Sequence, residues 1–266
     1  MRYRSLVAGL LLATSAAQAQ DKPAERDYCP ARPGLGTPAC TIAPGRISVE
    51  TGLADWTREQ DSSQRTDTVV IGDTLVRIGL TDAVEAQIGW TPYGHVRTRG
   101  SGGVASAGGI GDVLVGFKAN LHHPDGSGFS TALQPFVTLP AGGSAIGAGD
   151  WGAGIVAPFS FDLSDSLSFQ FSPEIDAAVD GDRHGRHLAY SNVVGLGASL
   201  SGSVSGTLEF QALRDDDPAG ATTQTYASLS FGWTPNDDLQ LDVGAVAGLN
   251  ANSADAEIYA GVSRRF

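Results

Sequence analysis

Leu239-Gln240-Leu241-Asp242-Val243-Gly244-Ala245-Val246-Ala247-Gly248-Leu249 decides the fold. Leu239, Leu241, Val243, Ala245, Ala247 and Leu249 are apolar, and the residues between them are mostly small or polar. Successive side chains of a strand point to opposite faces, so this stretch has one greasy face and one wet face. A strand follows at 256–266, ending on the aromatic Phe266. Strands of this length, apolar on one side only, fit the wall of a membrane barrel, which meets lipid outside and water inside.

The pattern recurs upstream. Val84, Ala86, Ile88 and Trp90 alternate with Glu85, Gln87 and Gly89; Val113, Val115, Phe117, Ala119 and Leu121 alternate with Asp112, Gly116, Lys118 and Asn120. Phe169, Phe171 and Ile175 alternate with Gln170, Ser172, Glu174 and Asp176. About twelve strands result, at 46–56, 68–80, 84–93, 111–121, 129–140, 151–163, 167–179, 188–200, 204–213, 223–233, 239–250 and 256–266. The expected fold is an all-β, antiparallel, up-and-down transmembrane barrel.

Connection lengths support this independently. Long ones (57–67, 94–110, 141–150, 180–187, 214–222) alternate with short ones such as Thr81-Asp82-Ala83, Ser164-Asp165-Ser166 and Ser201-Gly202-Ser203. Outer-membrane barrels have short periplasmic turns and long external loops, whereas a soluble sandwich has no reason to sort loops by parity. Apolar-face aromatics sort by depth as two interfacial girdles would: Trp90, Trp151 and Tyr190 outward, Phe161, Phe169, Trp233 and Phe266 toward the periplasm.

The first residues read as an export signal. Arg2 and Arg4 precede the apolar run 6–13, and Ala17-Gln18-Ala19 suits cleavage before Gln20. The run is too short for the roughly 20 residues of a helical span. Residues 1–19 are therefore a signal peptide, 20–45 a lead-in and 46–266 the barrel. The lead-in carries Pro23, Pro30, Pro33, Pro38 and Pro44 and no periodicity. It is expected on the periplasmic side, irregular and stapled by a Cys29–Cys40 disulfide; the bolder alternative is a plug folded into the lumen. Export to an oxidising compartment favours the disulfide, and no third ligand beside the pair suggests a metal.

The formal net charge is −12, and loss of Arg2 and Arg4 takes it to about −14. Nothing here neutralises a run of phosphates, so nucleic acid is not an expected partner. Parity turns Glu50, Asp73, Glu85, Asp112, Glu174, Asp176, Glu209, Asp242 and Glu257 inward, against Arg77, Lys118 and Arg265. Such a lining either favours cations in a narrow passage or props the wall through ion pairs in a plugged lumen; the second is favoured. The acid excess leaves carboxylates that must be hydrated, protonated or cation-bound.

In the external loops, Asp215-Asp216-Asp217 and Asp180 with Asp182 could hold divalent cations bridging lipopolysaccharide, although solvated surface is the favoured reading. Gly147–Gly152 matches G-x-G-x-x-G but precedes a strand, not the helix a nucleotide needs. His184, His187 and Ser191 at the rim are weighed as a lipid hydrolase and set aside, because no third group orients them.

Gly111-Asp112 with Gly116 and Lys118, Leu139-Pro140 with Gly142, Gly248-Leu249-Asn250, and Gly261-Val262-Ser263 with Arg265-Phe266 occur in an order and spacing that resembles a family of bacterial outer-membrane transporters linked to the meta-cleavage pathway of phenol degradation. The resemblance implies an outer-membrane barrel passing small, hydrophobic or aromatic compounds. It supplies no catalytic residue and no cofactor. Phe266 looks like the assembly signal of such barrels, with Arg264 where an aromatic usually stands. Expected partners are outer-membrane lipid and lipopolysaccharide, the barrel assembly machinery and a small solute. The expected function is a passive, non-enzymatic channel, with a structural or surface-interaction barrel as the alternative.

Overall fold

The computed structural model describes residues 26–266; the expected signal peptide lies outside the described residues. Alternation does its work directly. In Leu239–Gly248, Gln240, Asp242, Gly244 and Val246 are buried while Leu241, Val243, Ala245 and Ala247 are exposed. A soluble protein would reverse this. Across the molecule the fully buried large side chains include Arg77, Lys118, Gln87, Glu50 and Glu85, and Leu208, Val243 and Ile258 are more than half exposed. An apolar exterior around a polar interior is the arrangement lipid demands, and closure leaves no edge inside the bilayer.

Sixteen segments form the wall: β1 (Ile47–Gln60), β2 (Gln64–Ile71), β3 (Asp73–Gly79), β4 (Val84–Trp90), β5 (Tyr93–Gly100), β6 (Gly103–Gly109), β7 (Val113–His122), β8 (Phe129–Leu139), β9 (Gly152–Val156), β10 (Phe159–Ser164), β11 (Leu167–Val179), β12 (Arg186–Ser199), β13 (Val204–Asp215), β14 (Thr222–Asn236), β15 (Leu239–Gly248) and β16 (Ala256–Arg265). They are twelve strands, because β2/β3, β4/β5, β6/β7 and β9/β10 are each one strand with a local break. All pairings are antiparallel, and β16 pairs with β1 to close the cylinder, from Ser48 opposite Arg265 to Arg58 opposite Ala256.

The breaks have chemical causes. Pro92 and Pro158 lack the N–H that a ladder needs, and Gly72 takes φ +77°. A bulge in β1 between Gly52 and Ala54 lies level with Gly72, whose N–H bonds the Gly52 carbonyl at 2.8 Å; Gly111 bonds Thr91 in the same way. These irregularities make a crease across β1 to β7. Above it, the expected loops 57–67 and 94–110 are mostly sheet. β1 and β2 meet at the tight turn 61–63, and β5 and β6 at Ser101-Gly102. Polar, glycine-rich extension hides the strand period, which is why these segments read as loops.

The lipid face gives a first test. Val243 is 55% exposed on the apolar face near mid-strand. Val243→Arg should cost about 2–4 kcal/mol if it sits at the bilayer midplane, read as reduced denaturant resistance in lipid vesicles. Val246→Ser, on the opposite face of the same strand, should cost much less.

Candidate functional site

The interior is occupied. Rather than lying beneath the barrel, the lead-in enters the cylinder at Arg26, rises to Gly34–Thr37 and descends to Gly45. This corrects the expected periplasmic placement, and the reason is hydrogen-bond supply. Segment 26–42 makes one backbone–backbone bond to the wall among the described residues, Thr41 N to Pro124 O at 3.0 Å. Much of its remaining polar backbone is matched to wall side chains, from the Ala31 and Arg32 N–H groups on Glu50 to the Ala39 carbonyl on Asn120. Cys29 and Cys40 are bonded to each other, and closing a loop of this size removes about 3 kcal/mol of unfolded-chain entropy in the loop-closure model.

Arg77, on β3, is the hub. Its Nε donates to Glu85 Oε1 at 2.8 Å, Nη1 to Glu50 Oε1 at 3.0 Å and to Cys29 O at 2.8 Å, and Nη2 to Glu85 Oε2 at 3.0 Å and Cys40 O at 3.3 Å. A guanidinium has five N–H donors, and all five are used. Lys118, on β7, donates to Pro38 O at 2.9 Å and stands 3.8 Å from Glu85. The four charged side chains Glu50, Arg77, Glu85 and Lys118 have no solvent exposure.

The surplus carboxylates find donors that charge counting overlooks. Glu50 accepts the Ala31 and Arg32 N–H groups at 2.7 and 3.1 Å, and Glu85 accepts that of Ile42 at 2.7 Å. Glu209 takes the Leu35 and Gly36 N–H groups at 2.7 and 2.9 Å, plus Gln170 and Ser228 at 2.8 Å each. Peptide N–H groups thus do what hydration, protonation or cations were expected to do. Asp242 instead receives Arg32, at 3.0 Å, and the Arg32 guanidinium stands 5.4 Å from the centre of the Tyr259 ring. Gly34 has φ +119°, and a Cβ there would come within 2.8 Å of Glu209, so only glycine lets the apex approach the wall.

At the turn end, Arg265 donates to Asp238 at 2.7 Å and to Arg26 O at 2.5 Å, and Arg46 reaches Asp238 at 3.1 Å. The bond from Arg265, with Arg46 beside it, holds the Asp238 carboxyl below the usual range. A cavity of about 480 Å³ opens here, lined in part by Arg26, Tyr28, Asp237 and Arg265.

Above the plug the character changes. A cavity of about 260 Å³ is bounded by Arg32, Gly52, Asp55, Val70, Asp73 and Thr91, and one of about 120 Å³ lies between Leu35, Thr57, Gln211, Tyr226 and Glu257. Asp73 accepts from Thr91 at 2.6 Å, and Asp55 reaches Glu257. Glu174 and Asp176 share the inner face of β11 and are part-exposed. Asp112 takes the Ala148 N–H at 2.7 Å, drawing loop 141–150 toward the mouth. The expected lining set therefore divides in two. Glu50, Arg77, Glu85, Lys118, Glu209, Asp242 and Arg265 hold the plug; Asp73 and Glu257 line the two small cavities above it, and Asp112, Glu174 and Asp176 make no hydrogen-bonded contact with it among the described residues.

Two functional residues escape parity reading. Asp55 turns inward only because the Gly52/Ala54 bulge shifts the register of β1. Arg32 lies in a stretch without periodicity. The rim histidines do not assemble with Ser191: it is buried on the inner face of β12, four residues from His187, which at 3.3 Å per residue is about 13 Å along the strand. His184 is exposed in the loop before that strand.

A family model described as "Putative MetA-pathway of phenol degradation" matches residues 31–266. The chain belongs to that family. The match begins within the plug and runs through the whole wall. No curated protein matches the sequence. Solved structures of similar fold include the transport unit of the autotransporter AIDA-I from Escherichia coli, with TM-score 0.51, 9% identity and coverage of 83% of this chain and 89% of that one. The translocator domain of the autotransporter NalP from Neisseria meningitidis has TM-score 0.50 and 14% identity, covering 83% and 88%. The CymD monoaromatic hydrocarbon channel has TM-score 0.46 and 10% identity, covering 84% and 88%. The two autotransporter units share this chain's fold.

Proposed function

We propose that this barrel is a passive outer-membrane channel for small solutes, closed in this state by its own N-terminal segment. The observation that carries this reading is the way the plug is held. Its backbone is joined to the wall by side-chain bonds and almost no ladder, so it can leave without unravelling the sheet. No bond of a solute is made or broken in this reading. The family description makes small aromatic compounds the first solutes to test, and lipid, lipopolysaccharide and the assembly machinery are the partners such a barrel needs.

Asp55, Asp73 and Glu257 line the cavities above the plug, together with Arg32, and Asp112, Glu174 and Asp176 add carboxylates on the same polar face. A ring of carboxylates raises the local cation concentration and lowers that of anions. Residual current through the purified barrel in planar bilayers should be cation-selective. The double variant Asp55→Asn/Glu257→Gln should move the reversal potential in a salt gradient toward zero. Anion preference in the wild type, or no displacement in the variant, would count against the acidic route; complete silence even with the plug removed would end the channel reading.

A further inference from the structure

A cluster of side chains at the external rim is not used by the channel. His187 is the second residue of β12, Asp180 precedes it in the β11–β12 loop, Asp215 ends β13 and Asp217 lies in the loop that follows. The His187 side chain is 95% buried by these neighbours, being 5% exposed. Its Nδ1 lies 2.9 Å from Asp180 Oδ1 and bonds it. Its Nε2 is buried and at ion-pair distance, 2.8 Å, from Asp215 Oδ1 without hydrogen-bond geometry, and Asp217 Oδ2 stands 3.7 Å from Nδ1. One ligand atom from each of His187, Asp215 and Asp217 lies within 4.8 Å of the others.

Charge points the same way. Three carboxylates around one imidazole leave two negative charges even if the ring is protonated. Two neighbouring guanidiniums are paired elsewhere, Arg186 with Asp150 at 2.9 Å and Arg214 with Asp216 at 2.7 Å. Asp217 is fixed by the Gly181 and Ala219 N–H groups at 2.6 Å each, so it is held in place with lone pairs to spare. By contrast Asp182 is 74% exposed and points away into solvent.

We propose that His187, Asp215 and Asp217 are a divalent-metal site, suited to Zn²⁺, with Asp180 as the positioning residue for the imidazole. Zinc takes nitrogen and carboxylate oxygen at about 2.0–2.2 Å, which sets its ligands roughly 3.3–3.5 Å apart. Asp215 already stands 2.8 Å from Nε2, whereas Asp217 Oδ2, 3.7 Å from Nδ1, must turn toward the Nε2 side to complete that spacing. The Asp180 bond to Nδ1 fixes the tautomer that leaves Nε2 free to ligate, the usual carboxylate–histidine–metal relay. Three protein ligands leave a fourth position to solvent. A bound ion would clamp the β11–β12 and β13–β14 loops together over one side of the mouth.

The experiment uses the full-length barrel, folded in detergent, stripped with EDTA and titrated with Zn²⁺ by calorimetry, with Ca²⁺ titrated in parallel. One Zn²⁺ per barrel is expected, weakened at least tenfold in His187→Gln and in Asp217→Asn. Asp180→Asn should weaken binding by about 10–100-fold, and Asp182→Asn should leave it unchanged. Cobalt in place of zinc should give the strong visible absorption of a four-coordinate site, which a merely structural role for these residues would not produce. Each variant is checked for the migration difference between boiled and unboiled samples, so that loss of the ion is separated from loss of the barrel. No stoichiometric Zn²⁺ in the wild type would overturn the proposal. So would binding indifferent to His187→Gln, or Ca²⁺ taken in preference through the aspartates alone.

Discussion

Removing residues 26–43 should convert a nearly silent barrel into an open pore, with single-channel conductance rising about tenfold or more. A closed twelve-stranded cylinder is wider than its own side chains can fill, and in this molecule the plug occupies the remainder between the cavities at the two ends. Planar-bilayer recording of the deletion beside the wild type measures the change. The unboiled deletion should still migrate as a compact barrel, because all sheet pairings remain. A deletion barrel that is intact yet conducts no better than the wild type would show that external loops, not the lead-in, set the resistance.

The second large effect is expected from one residue. Arg77→Gln leaves Glu50 and Glu85, both without solvent exposure, facing each other with their shared cation gone. It also strips Cys29 and Cys40 carbonyls of their guanidinium donor. Breaking one member of a buried ion network costs about 3–5 kcal/mol, because the partners stay buried and uncompensated. The plug should yield before the wall does. Chymotrypsin, which the wild type should resist, is expected to cut after Tyr28 or Leu35 in the variant, while the wall remains protected and conductance rises toward that of the deletion. The double variant Arg77→Gln/Glu50→Gln, which leaves Glu85 paired with Lys118, should be milder than Arg77→Gln alone. If Arg77→Gln is as protease-resistant and as silent as the wild type, the hub is not what retains the plug.

The wall was legible in the sequence because lipid enforces a strict rule. Each step from Leu239 to Gly248 trades hydrocarbon for interior, and Leu208, Phe231 and Val243 obey it as plainly as Glu85 and Lys118 do on the other face. The path of the lead-in was not legible, since proline-rich backbone carries no period. One clue was available in the carboxylate surplus: Glu50, Glu85 and Glu209 needed donors, and an exported chain with too few bases has only its own amides to offer. Asp55 was hidden by a bulge, which reverses parity without marking the composition. The rim cluster was partly visible as Asp180 and Asp215–Asp217, but His187 joins it only through the pairing of β12 with β13, which sets Ala189 opposite Asp215.

One joint in the cylinder is made by the first and last strands, where β1 lies along β16. The plug grips both sides of it, through Glu50 on β1 and through the Tyr259 hydroxyl on β16, which receives the Gly34 N–H at 3.1 Å. A wall zipped one residue out of step would turn Tyr259 toward the lipid and leave Gly34 nothing to bond. The segment that fills the lumen therefore also spans the seam, and a barrel paired out of step would lose that grip.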